Sequence, residues 1–147
     1  ASGGTRALVA AFCAGASATD GVSVATRSAQ VAMAADVQKA DALVIATPEN
    51  FGYMAGSIKE FFDRVFYACM TDTTALGGGT HSVLAGAMQS VDRIVTGWRM
   101  RKVHPGVIAR RVGGEAGSSR GELREEDLVA SHDMGQLFAE GLLMGVL

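Results

Sequence analysis

Apolar and polar positions alternate along the chain in two periods, and the change from one to the other is sharpest between residues 42 and 66. Ala42 to Thr47 is a short, continuous apolar run with β-branched members, and it stops at Pro48. Proline has no amide hydrogen to give to a ladder, so the run reads as a buried strand closed at its carboxyl end. A polar, glycine-containing loop follows, and then Ile58, Phe61, Phe62, Val65 and Phe66 recur at the spacing of one helix face, predicting a helix over Ser57 to Tyr67. The unit is strand, loop, helix. In an open parallel sheet the loops leaving the carboxyl ends of strands form the ligand crevice, so residues 47–54 are the first candidate site.

The same reading extends over the rest of the chain. Leu8, Val9, Phe12 and Cys13 share a helical face. After the turn signal Thr19-Asp20-Gly21, the alternation Val22-Ser23-Val24-Ala25 predicts a strand, and Ala32 to Lys39 a short helix. Ser82 to Ala85 is a brief strand candidate, and Met88, Val91, Ile94, Val95 and Trp98 predict an amphipathic helix to about Arg101, with Trp98 as a core anchor. A last strand is expected within Val103 to Val112, centred on Val107-Ile108-Ala109, with Pro105 marking an edge. Gly113 to Gly121 is a Gly/Ser-rich loop that reads as a mobile lid or a disordered segment, and Glu122 to Glu126 place acids where a final helix dipole favours them. Helices alternating with strands argue for a parallel α/β sheet in a single domain over residues 1–147.

Composition narrows the class of partner. Thirteen Lys and Arg against fifteen Asp and Glu leave a net charge of −2, which implies neither a nucleic-acid partner nor a strongly acidic docking surface. No apolar run approaches membrane-spanning length and no leader pattern opens the sequence, so a soluble cytoplasmic protein is expected. Cys13 and Cys69 lack metal-type spacing; a disulfide between them stays open, and their apolar surroundings favour buried free thiols.

The opening residues are the second candidate site. Ser2-Gly3-Gly4-Thr5 stands at a helix N-terminus, where unpaired N–H groups and the positive dipole end can bind phosphate and glycines admit close approach. Taken alone, the four residues are more often a capped helix start. Leu76-Gly77-Gly78-Gly79-Thr80 reads as a turn, since no apolar strand runs into it. His81, His104 and His132 are scattered without a nucleophile elbow or metal-ligand spacing, so neither a catalytic residue nor a metal site is assigned.

Thr47, Pro48, Phe51, Gly52 and Met54, followed by Ile58, Lys59, Phe61, Phe62 and Asp63, carry a family resemblance. The chain resembles the flavodoxin-like proteins, and among them the NAD(P)H-dependent FMN and quinone reductases more than the electron-carrier flavodoxins. The resemblance implies a three-layer α/β fold with a parallel sheet of order 2-1-3-4-5 and helices on both faces. It implies FMN as cofactor, its phosphate held by Ser2, Gly3, Gly4 and Thr5 and its ring by Thr47, Pro48, Glu49, Asn50, Phe51, Gly52 and Tyr53, with Gly86 a possible third contact. It also implies NAD(P)H as co-substrate, which hands hydride to the flavin and leaves before a quinone or similar small acceptor enters, in a dimer or tetramer. Two departures stand beside it. The family's phosphate loop follows the central first strand, whereas this sequence opens inside that loop, so the strand either precedes Ala1 in a longer chain, the reading favoured here, or is supplied otherwise. The segment around Leu84 to Ala87 is shorter than in the family. A flavodoxin-type carrier and a flavin-free binding domain remain the alternative functions.

Overall fold

The computed structural model describes residues 3–71, 80–84, 88–109, 112 and 122–147, and they fall into two compact units. Residues 1–24 and 107–147 belong to the first unit and residues 25–106 to the second.

The second unit holds the sheet. The run from Ala42 forms strand β1 (Ala42–Ala46), which pairs in parallel with the later strand β4 (Thr80–Leu84), with Ala42 opposite Thr80 and Ala46 opposite Leu84. Strand β5 (Arg101–Lys102) adds in parallel to the start of β4, giving the order β1-β4-β5. This is the 3-4-5 portion of the expected order. Parallel neighbours need crossovers, and helices α3 (Gly56–Thr71) and α4 (Met88–Gly97) supply them. The short helix α2 (Ala34–Gln38) precedes β1, with the Asp36 carboxylate accepting from the Met33 N–H at its start.

The predicted face of α3 is the one that is buried: Phe61, Phe62 and Val65 are almost without exposure, and Val91 and Val95 of α4 meet them in one core with Ile45 and Val37. Trp98 binds the two helices together. Its ring centroid lies 5.3 Å from Phe62, 6.1 Å from Phe66 and 6.4 Å from Phe61, the last edge to face. The indole Nε1 is buried without a hydrogen-bond partner among the described residues, so the ring serves there as hydrocarbon. On the other side of α3, Arg64 donates to the carbonyls of Ala32 (2.7 Å) and Ala29 (2.8 Å) while Glu60 accepts from its Nε at 2.8 Å. One guanidinium fork thus fastens the segment before α2 to α3.

The first unit is built on two helices, α1 (Gly4–Ser17) and α5 (Glu125–Leu143). Their backbones touch. A Cβ on Gly15 would stand 2.0 Å from the His132 carbonyl oxygen, and one on Gly135 would stand 2.1 Å from that of Phe12. The Ser131 hydroxyl donates to the Leu8 carbonyl at 2.8 Å, and Phe12 meets Phe138 edge to face at 5.9 Å. Close approach of this kind is what small residues at facing positions permit. Val112 and Glu122 exchange backbone hydrogen bonds of 2.9 and 3.0 Å, closing the ends of the expected lid, whose own residues lie outside those described.

Three expectations from the periodicity are corrected. Val22 to Ala25 is not a strand, although Val22 and Val24 are half-buried while Ser23 and Ala25 are exposed. Among the described residues no strand pairs with it, and alternation without a partner makes no sheet. Among the described residues the last strand is Arg101–Lys102, ahead of Pro105, and of the expected centre Val107-Ile108-Ala109 only Val107 makes a β-bridge. Pro105 lacks a donor, Gly106 turns the backbone to φ +93°, and the Gly106 N–H is taken by the His104 ring at 2.9 Å, so the regular ladder is interrupted there, ahead of the Val107 bridge. Helix α4 ends at Gly97 instead of about Arg101, because Met100 N–H bonds back to Val95 and Arg99 N–H to Thr96 around an Arg99 at φ +60°. Cys69 is buried as expected, Cys13 is only half-buried, and both are free thiols.

Candidate functional site

The ring-loop candidate is a miniature hairpin. Strand β2 (Glu49–Asn50) pairs antiparallel with β3 (Tyr53–Met54), Glu49 opposite Met54 and Asn50 opposite Tyr53, leaving Phe51-Gly52 as a two-residue turn. Phe51 has φ +54° and Gly52 φ +73°. Positive φ at both central residues is the requirement of a type I′ turn, whose twist matches that of the strands it joins. Glycine meets this requirement freely and phenylalanine does not. A bulky residue held in the left-handed region stores strain of about 1–3 kcal/mol, and such strain gathers at ligand-binding loops.

That strained residue also points into water. Phe51 is 107% exposed, and among the described residues it stacks on no other ring. Tyr53 is 44% exposed, and Pro48, Glu49, Asn50 and Gly52 are exposed around it. A Cβ at Gly52 would meet nothing within 4 Å. The tip is therefore an apolar ring and a polar edge with open space beside them.

The hairpin base, by contrast, is fixed. Met54 is 3% exposed and joins the core of its unit. Thr47 is fully buried; its hydroxyl donates to the Pro48 carbonyl at 2.9 Å and accepts from the Ala55 N–H at 3.0 Å. The Ala55 carbonyl in turn accepts from Ile58 and Lys59 as α3 begins. Of the residues expected to line the ring, Thr47 is thus committed inside the loop, while Pro48 to Tyr53 form its accessible part. In the first turns of α3, the hydrogen bond with Asp63, helped by the Tyr53 side chain, holds the Lys59 pKa above its ordinary value.

The phosphate-loop candidate belongs to the other unit. Gly3 is the N-cap of α1 at φ +79°; a Cβ added there would meet nothing within 4 Å, and the residue has no side chain with which to cap the helix. Gly4 is buried and Thr5 half-buried. A helix start with no side-chain cap among the described residues and a left-handed glycine suits an anion chemically. Ser2 and Gly86 lie outside the described residues.

Residues 7–120 match the family described as NADPH-dependent FMN reductase. The chain belongs to this family. The matched stretch contains the whole hairpin and begins beyond Thr5, so the hairpin is the better anchored of the two candidate segments. Family membership carries the reaction class, flavin-dependent oxidoreduction, and its cofactor, FMN. The fold is similar to that of a flavodoxin from the domain Archaea, with 17% identity and a TM-score of 0.65 over 97% of this chain and 93% of that one. It is also similar to an oxidoreductase from Corynebacterium diphtheriae, with 20% identity and a TM-score of 0.54 over 92% of this chain and 86% of that one. These likenesses establish the flavodoxin-like α/β fold. Among curated proteins none matches.

The hairpin fits a planar aromatic cofactor on its own evidence: a solvent-facing ring held in a strained backbone, beside exposed amide and carboxylate groups able to read a polar edge. Sequence reasoning missed the left-handed Phe51 and the internal role of Thr47. The signal for the first was present, since two residues ending in glycine between Glu49-Asn50 and Tyr53-Met54 fit a two-residue hairpin.

Proposed function

We propose that this FMN reductase takes reducing equivalents from NAD(P)H and passes them to a quinone or a similar small acceptor. The observation that supports the reading best is the exposed Phe51-Gly52 tip at the carboxyl end of β1, within the matched family region. FMN, when bound, supplies the two-electron chemistry; the protein supplies position and electrostatics.

In this reading Phe51 and Tyr53 lie against the flavin ring, while Asn50 and the hairpin backbone offer hydrogen bonds to its polar edge. Glu49 places a carboxylate near that edge, which disfavours added negative charge there. Gly3, Gly4 and Thr5, with Ser2, offer N–H and hydroxyl donors to the phosphate. No side chain is assigned as a general acid or base. A homo-oligomer, dimer or tetramer, and a cytoplasmic setting are part of the same proposal.

The test is an anaerobic absorbance titration of the purified protein with FMN and then NADPH or NADH. Flavin bands that saturate at one per chain and bleach on adding pyridine nucleotide support the reductase, and acceptor screening follows. Binding without bleaching transfers the assignment to an electron carrier. Failure to bind flavin removes both candidate segments and leaves a flavin-free binding domain.

A further inference from the structure

We infer that Thr47 is a positioning residue: its hydroxyl sets the geometry of the ring-binding hairpin without itself touching the cofactor. The inference rests on the FMN reading of the hairpin given above.

So small a hairpin needs outside support. Its two strands contribute two residue pairs, Glu49 with Met54 and Asn50 with Tyr53, and a two-stranded hairpin of that size is marginal in water. Its turn carries the strain of Phe51 at φ +54°, and the tip contributes no burial because Phe51, Gly52 and the preceding polar residues face solvent. Strained conformations persist only where the surroundings over-determine them. The determining contacts must therefore lie at the base.

Two are found there. Met54 is buried in the core and anchors one leg. Thr47 is fully buried and closes the other: Oγ1 donates to the Pro48 carbonyl at 2.9 Å and accepts from the Ala55 N–H at 3.0 Å. Pro48 enters the hairpin and Ala55 leaves it for α3, so one oxygen joins entry to exit. The hydroxyl stands between the Ala55 N–H and the Pro48 carbonyl and relays a bond between them, while the Ala55 carbonyl is already taken by Ile58 and Lys59. Only a hydroxyl can do this, since the position needs a donor and an acceptor on the same atom within the volume of a small β-branched residue. Valine has the shape without the function, and serine the function without the methyl group.

Thr47→Val and Thr47→Ser, made in the full chain, separate these contributions. Amide hydrogen exchange is measured on the flavin-free protein, and FMN affinity by quenching of flavin fluorescence. Thr47→Val leaves the partly buried Ala55 N–H without its acceptor. It is expected to speed exchange at Met54 and Ala55 by at least about tenfold relative to α1 and α5, and to weaken FMN by at least about tenfold. Thr47→Ser is expected to restore both. Unchanged exchange and affinity in Thr47→Val, or a Thr47→Ser protein that behaves like Thr47→Val, would overturn the inference. So would uniformly faster exchange with unaltered FMN affinity, the signature of a purely structural core residue. If Thr47→Val does not fold, Thr47→Ser decides alone: retained protection at Ala55 despite the lost methyl supports the clip, and lost protection refutes it. Absence of FMN binding in the unsubstituted protein would sink the functional reading, while the exchange data would still judge the clip.

Discussion

Replacing Phe51 by asparagine should make the flavin-free protein more stable and its FMN binding weaker. The two effects have separate physical origins. Phe51 occupies the first central position of a type I′ turn at φ +54°, where a bulky L-residue costs about 1–2 kcal/mol. Asparagine tolerates that region because its short polar side chain bonds locally, and Asn-Gly is the favoured pair for this turn. Since the Phe51 ring is fully exposed, removing it gives up no protein packing. The net gain is about 1 kcal/mol, or a rise of roughly 3 °C in Tm for a chain of this length. Against FMN the ring contributes apolar contact and stacking, and its loss is worth about 2 kcal/mol, roughly thirtyfold in Kd. Scanning calorimetry of the flavin-free protein and a flavin fluorescence titration measure the two quantities. A lower Tm would show that the left-handed Phe51 is not strained, and an unchanged Kd would remove Phe51 from the ring site.

Other outcomes follow from the same geometry. Gly3→Asp should abolish any preference for FMN over riboflavin, because a carboxylate at the α1 N-cap repels the phosphate that distinguishes them; equal loss of both ligands would count against a phosphate site there. Gly15→Ala and Gly135→Ala should each cost about 3 kcal/mol in urea unfolding, since the new methyl meets a backbone carbonyl that cannot rotate away; neutrality would contradict the helix contact. Arg64→Lys should speed amide exchange near Val31 and Ala32, one ammonium being unable to reproduce a fork shared between the Ala29 and Ala32 carbonyls. Partial burial, with the nearby Lys102 charge, holds the His104 pKa below 6.5, and its ring accepts the Gly106 N–H. The folded state therefore binds this proton less tightly than the unfolded chain, so stability is retained above about pH 6.5 and declines as pH falls through the lower folded value. His104→Asn should flatten that slope in a pH series of Tm values.

Much of the second unit could be read directly. The apolar run into Pro48 is β1, the spacing of Ile58, Phe61, Phe62, Val65 and Phe66 is the buried face of α3, and Trp98 is the anchor its size suggested. These features are local: each follows from a period or a backbone restriction carried by neighbouring residues. Val22 to Ala25 and Val107 to Ala109 misled for the complementary reason. Alternation reports that a segment could have two faces, while a strand exists only where another strand offers its N–H and C=O groups. The first finds no ladder partner among the described residues, and of the second only Val107 makes a β-bridge, beyond Pro105 and the turn at Gly106.

The candidate site divides along the same line. By itself the sequence determined the residue types, their place after β1 and the family to which the motif belongs, because all of these are properties of a contiguous stretch. Tertiary structure alone decided that Phe51 faces water in a left-handed turn and that the Thr47 hydroxyl turns inward. It also decided that Gly15 and Gly135 are contact points between helices distant in sequence. The physical reason is that backbone strain, the direction of a hydrogen bond and a steric fit are set by atoms the chain brings together from several elements. A periodic pattern in one element does not encode them.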